Sequence, residues 1–160
     1  MMLRRLAVCL VFLVGMFGAA RMVAAEEGAW VTSADVEMNA ATAKARKTLD
    51  DFLKLAAKPP RGAEGFKLNV LMRDARGAEY LWIRDFAQDR AGFHGVVDTD
   101  PAVLKSIRRG QRVTFQRSDV TDWGYVLDGR ETGFATMCVL LKRMSPAAAE
   151  QYRKERGLRC

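Results

Sequence analysis

The stretch VLDGRE, residues 126–131, constrains the fold more tightly than any other part of this chain. An Asp-Gly pair between two strand-like runs selects a two-residue type I′ loop, because both central positions need positive φ. Asp128-Gly129 therefore sets a register: Leu127 opposite Arg130, Val126 opposite Glu131, Tyr125 opposite Thr132, Gly124 opposite Gly133, and Trp123 opposite Phe134. Side chains alternate along a strand. One face then carries Trp123, Tyr125, Leu127, Thr132 and Phe134, an aromatic set suited to core packing. The other carries Asp122, Val126, Glu131 and the two glycines, which leave a notch where a backbone, a helix or a ligand can approach.

The rest of the pattern extends this hairpin into a sheet. FKLNVLMRD (66–74) and EYLWIRDFAQ (79–88) read as strands joined by a short turn, GFHGVV (92–97) follows, and QRVTFQ (111–116) returns to strand. Consecutive strands with short connections predict an antiparallel meander. Residues 33–58 read as one helix, capped by Ser33 or Asp35 and ended by Pro59-Pro60. TDPAVLKSIRRG reads as a short helix with Asp100 as cap and Pro101 at its first position. Phe134, Met137, Cys138 and Leu141 follow helical spacing, and Ser145-Pro146 opens a last helix closed by Gly157. The expected fold is α+β: an antiparallel, strongly coiled sheet of about six strands, open or barrel-like, with an N-terminal helix and a C-terminal helical pair.

The N-terminus carries a different signal. Arg4 and Arg5 precede an apolar run from Leu6 to Ala20, and Val23-Ala24-Ala25 places small residues before Glu26. This is the layout of a secretory signal peptide; Arg21 stops the run short of the roughly 20 apolar residues that span a bilayer. The predicted organisation is a signal peptide over 1–25, a lead-in with the start of the first helix over 26–43, one domain over 44–157 and a tail over 158–160. Periplasmic or secreted location follows, with membrane contact only through an uncleaved signal.

Export changes how charge and cysteine read. The formal charge of +7 falls to +4 once Arg4, Arg5 and Arg21 leave. An exported protein has little access to nucleic acid, so the basic excess points to solubility, an acidic envelope protein or an anionic envelope component. The basic cluster is KSIRRGQR, with Arg108, Arg109 and Arg112. Cys138 and Cys160 would stand in an oxidising compartment. A straight helical path would carry Cys160 about 13 Å past the residue facing Cys138, beyond the roughly 7 Å Cα limit of a bridge. This favours an unpaired Cys138, unless the chain turns back after Gly157.

Catalytic chemistry has a thin basis. Asp122 and Glu131 share a face but lie about 13 Å apart along it, outside the roughly 5–9.5 Å of glycosidase pairs. One histidine, His94, rules out a His–His metal site, and DVTD (119–122) lacks the ligand spacing of a calcium loop. There is no phosphate-binding loop and no nucleophile elbow. No catalytic residue, metal or cofactor is assigned.

KPPRGAEGFKLNVLMRD, EYLWIRDF, GFHGVV, GQRVTF, DVTDWGYVLDGRETG and VLLKRM together resemble the YegJ-like bacterial domain of unknown function, over residues 44–156. The resemblance implies a domain and a bacterial source, and no reaction. The expected role is a non-enzymatic binding or inhibitor (immunity-like) module of the envelope. Its surface would be Asp122, Gly124, Val126, Glu131 and Gly133, with Arg108, Arg109 and Arg112 nearby. The alternative is a small envelope hydrolase using Asp122, Glu131 or His94.

Overall fold

The structure is a computed structural model that describes residues 35–160. The predicted signal peptide, the lead-in up to residue 34 and the Ser33 cap lie outside the described residues. The elements are α1 (Val36–Lys47), α2 (Leu49–Ala57), β1 (Ala63–Asp74), β2 (Gly77–Asp89), β3 (Gly92–Val97), β4 (Arg112–Phe115), a 3₁₀ turn at Arg117–Asp119, β5 (Val120–Leu127), β6 (Arg130–Gly133), α3 (Ala135–Arg143) and α4 (Pro146–Arg156). The six strands form one antiparallel sheet in the order β4-β3-β2-β1-β5-β6.

The sheet must curl. In a flat sheet β4 and β5, four steps apart, would be about 19 Å from each other. Only five residues lead from Phe115 to Val120, a reach of roughly 17 Å. Curling brings the two together without closing a barrel, and β4 and β6 remain the edges. Register slips in β1 (Asn69/Val70) and β2 (Arg84/Ala87) supply the bends, as bulges do.

Each face of the sheet has its own core. On the first, Phe52 of α2 packs over Leu68, Val70, Leu81, Ile83 and Tyr125. Phe52 stacks on Trp123 at 4.8 Å, and Phe66 stacks on Tyr125 at 4.9 Å. On the second, Phe134, Leu141, Ala149 and Leu158 enclose Trp82 and Tyr152. The aromatic face of the β5–β6 hairpin is core, and its pairs from Leu127↔Arg130 to Gly124↔Gly133 follow the Asp-Gly loop.

Four expectations need correction. The first helix is two. Trp123 Nε1 donates to Ala45 O at 3.0 Å and to Thr48 Oγ1 at 3.2 Å, so a strand side chain takes a carbonyl that a continuous helix would pair with Leu49. The helix predicted from Pro101 is a bent loop. The Ala102, Val103 and Leu104 amides donate to the Glu79 carboxylate, and those of Lys105 and Ser106 to Asp74. Cys138 and Cys160 are bridged, with Cα atoms 5.5 Å apart. Gly157 takes φ 68 at the end of α4, the reversal that helix C-termini use, and buries Leu158 on the return. Finally, Phe134 does not share a face with Trp123. Its φ of 52 turns the ring against Trp82 at 5.0 Å, on the opposite side.

Candidate ligand-binding site

The predicted hairpin surface is engaged by the chain itself. A Cβ on Gly124 would lie 2.3 Å from the Phe134 ring, and one on Gly133 would lie 2.5 Å from Trp123 O. The notch exists to admit this protein's own aromatic rings. Asp122 is 1% exposed and accepts from Thr136 N at 2.7 Å, Thr136 Oγ1 at 2.6 Å and Trp123 N at 2.8 Å. Phe134, at the N-cap of α3, offers no side-chain cap. Asp122 caps the helix instead, from a strand, satisfying amides that a helix start leaves orphaned. Burial pushes its pKa up against those hydrogen bonds.

Glu131 faces α4. It accepts from Tyr152 Oη at 3.3 Å and lies 3.9 Å from Arg156. Burial raises its pKa despite Arg156; burial and the Glu131 charge push the Tyr152 phenol up to about 12. Val126 is half-buried beside it. Arg112 belongs to β4, and Arg108 and Arg109 to the loop before it. Gly133, Gly124, Lys67, Arg84, Val96 and Arg112 form one row across the curled sheet; Lys67 in this row lies 3.1 Å from Asp98, and its charge acts on Glu131. Arg109 pairs with Asp98 at 3.5 Å and Asp100 at 3.4 Å, and Arg108 and Arg112 are exposed. His94 belongs to β3, with Nδ1 3.4 Å from Asp89. Asp122, Glu131 and His94 do not converge. Among the described residues no group of three or more His, Cys, Asp or Glu side chains is placed to hold a metal ion.

A different set of residues does converge. Between α1, α3 and the second face of the sheet lies a pocket of about 220 Å³. β1 supplies Asn69 to its floor, β2 Trp82 and Tyr80, and β5 Thr121; Thr99 comes from the loop after β3. Met38 and Thr42 of α1 and Thr136, Met137 and Leu140 of α3 form the cover. None of these side chains is charged. Thr99 Oγ1 accepts from Trp82 N at 2.9 Å, and Thr136 is held from behind by Asp122. The frame is thus fixed by hydrogen bonds before anything binds.

Asn69 is the group of interest. It is 7% exposed, and the Thr121 hydroxyl lies 2.7 Å from its Oδ1 and 3.1 Å from its backbone carbonyl. That contact occupies one end of the carboxamide. Among the described residues the amide nitrogen has no hydrogen-bond acceptor, and since none of their fully buried side-chain polar atoms is unpartnered, it opens on the pocket. No sequence pattern announces it, because Asn69 and Thr121 lie 52 positions apart and meet only through the β1–β5 pairing. The one legible hint is a polar residue between Leu68 and Val70, both fully buried.

Fold and pocket together define an α+β domain built around an open antiparallel sheet. The chain belongs to the family described as "Uncharacterized protein conserved in bacteria (DUF2314)", matched over residues 35–160. A putative ankyrin repeat protein of Neisseria meningitidis serogroup B (strain ATCC BAA-335 / MC58) is 25% identical over 131 residues, covering 72% of this chain and 49% of the relative. The chain therefore spans about half the length of that curated relative. No solved structure matches.

Proposed function

We propose that this chain is an exported, non-catalytic binding module of the bacterial envelope, of the YegJ-like kind, and that the α1–α3 pocket seats its ligand. The ligand is a small, neutral, ring-bearing molecule with a carbonyl or hydroxyl edge. The Asn69 carboxamide, with its amide N–H open to the pocket, carries this reading. No fully buried side-chain nitrogen or oxygen among the described residues lacks a partner, so this amide N–H reaches the open volume of the pocket, where a ligand acceptor can take the place of water. The wall of threonines and sulfur and aromatic side chains offers no counter-ion, so a charged ligand would lose its hydration without return. The Trp82 indole provides a flat face for a ring. At about 220 Å³ the site is smaller than the roughly 300–1,000 Å³ of drug-sized pockets.

Two observations support export: the secretory layout of residues 1–25 and the Cys138–Cys160 bridge, since disulfides persist in oxidising compartments. An inhibitor acting through the hairpin is less well supported, because Asp122, Gly124 and Gly133 are occupied within the fold. The alternative of a hydrolase using Asp122, Glu131 or His94 has less support, since Asp122 and Glu131 are engaged by Thr136 and Tyr152.

The test is calorimetric. Benzamide and indole should raise the melting temperature of the exported chain saturably, as ligands of the folded state do, while benzoate and benzylamine should not. Asn69→Leu should abolish the benzamide shift. Equal stabilisation by the charged analogues, or none by any neutral ring, overturns the assignment. Mass spectrometry of the native protein should show a chain beginning near Glu26; an intact Met1 overturns the export half alone.

A further inference from the structure

β1 and β2 part company before either ends. Their pairing runs from Asp74↔Gly77 to Lys67↔Arg84 and stops there. β1 nevertheless begins at Ala63 and β2 continues to Asp89. On its far side β1 keeps β5, through Ala63↔Leu127 and Glu64↔Val126; β2 keeps β3, from Ala87↔His94 to Asp89↔Gly92. Among the described residues no strand lies between the facing edges of 63–66 and 85–89. Asp85, at φ 50 inside the register slip, is the hinge of the split. A groove of about 730 Å³ lies in this fork, with Phe66, Phe86 and Phe93 among its lining and Leu53 of α2 along one wall.

We infer that the fork receives an extended peptide segment of a partner protein, inserted by β-addition between β1 and β2, with an apolar side chain seated on Phe66 and Phe86. Backbone N–H and C=O groups are obligatory hydrogen-bonding groups, and strand edges recruit strands. Two such edges face each other across one apolar groove, and a strand is the ligand that matches both walls together. Gly65, at φ 63, presents bare backbone to the groove; a Cβ there would meet nothing closer than Val126 at 3.8 Å. Residues 63–66 offer about 13 Å of edge, which suits a four-residue stretch. The outer edges belong to β4 and β6, each only four residues long, a length that protects edges from pairing. The site is independent of the α1–α3 pocket, so either can fail without the other.

The probe is a capped hexapeptide of alternating Thr and Val with one central Phe, added to the oxidised exported chain and followed by amide hydrogen exchange. Exchange should slow at residues 63–66 and 85–89. A version N-methylated at alternate residues should bind about tenfold more weakly or worse, the loss of a single hydrogen bond. Ala87→Glu, at an exposed position lining the groove, should weaken the parent peptide similarly while keeping the parent's denaturation midpoint. Equal binding by the N-methylated peptide overturns the inference, as does protection appearing at Arg112–Phe115 instead. Absence of protection at millimolar peptide overturns it too. Protection of 63–66 that rises with chain concentration alone would show a second copy in the fork and overturn the partner assignment.

Discussion

Replacing Gly133 by alanine tests whether the hairpin notch is packing or an approach path. Gly133 takes φ 92, and its added Cβ would stand 2.5 Å from Trp123 O and 2.6 Å from the Trp123 ring. The indole cannot swing away freely. It stacks on Phe52 at 4.8 Å, and its N–H is held by Ala45 and Thr48. Two costs follow: about 1–2 kcal/mol for a left-handed residue with a Cβ, and about 1–3 kcal/mol for overpacking. The expected loss is roughly 2–5 kcal/mol, a large share of the roughly 5–15 kcal/mol that holds a domain folded. Gly129→Ala separates the two. Gly129 has φ 75 with open space around its Cβ position, so it should lose only the backbone part. Urea titrations of both variants, with unchanged slope, measure the difference. Losses that agree within about 0.5 kcal/mol would mean that Trp123 is not wedged against Gly133, and the packed-notch account would fall.

Two further outcomes are expected. Cys160→Ser, which opens a bridge of sequence separation 22, should lose about 3 kcal/mol, and a reducing agent should lower the parent's urea midpoint to the variant's while leaving the variant unchanged. Asp74 is held at about 2, below its ordinary 3.8, by the amide of Arg76 first and then by Ser106 and Lys105. Its folded pKa lies below its unfolded one, so its contribution is present above about pH 4 and is lost as pH falls towards 2. Asp74→Asn should flatten that part of the acid dependence in midpoints measured across this range.

The features legible in the sequence are those whose causes are local. Asp128-Gly129 sets the hairpin register because loop chemistry and strand twist act over a few residues, and GFHGVV is a strand at the predicted residues. Asp35 accepts from Met38 N at 3.0 Å, as a cap within one turn should. Whatever depends on a distant partner is read incorrectly or missed. A helix running through Thr48 is sound on propensity alone, yet an indole 75 positions away breaks it. The Pro101 segment has the right start for a helix, but Glu79 and Asp74 draw its amides out of helical geometry.

The same division explains why the sequence points to polar residues that the fold itself engages. Asp122 and Glu131 stand out because acids beside aromatics in a strand look out of place. Both are spoken for: Asp122 compensates a helix that starts at Phe134 without a capping side chain, and Glu131 fixes α4 through Tyr152. An ionisable group that is conspicuous in sequence can owe its place to a structural contact far along the chain. Asn69 is the converse. It attracts no notice in a strand of apolar neighbours, but in the fold it is a largely buried residue whose amide end opens on a pocket. Such an opening can be judged only after every neighbour's bonds are counted, and this is what separates the pocket from the hairpin.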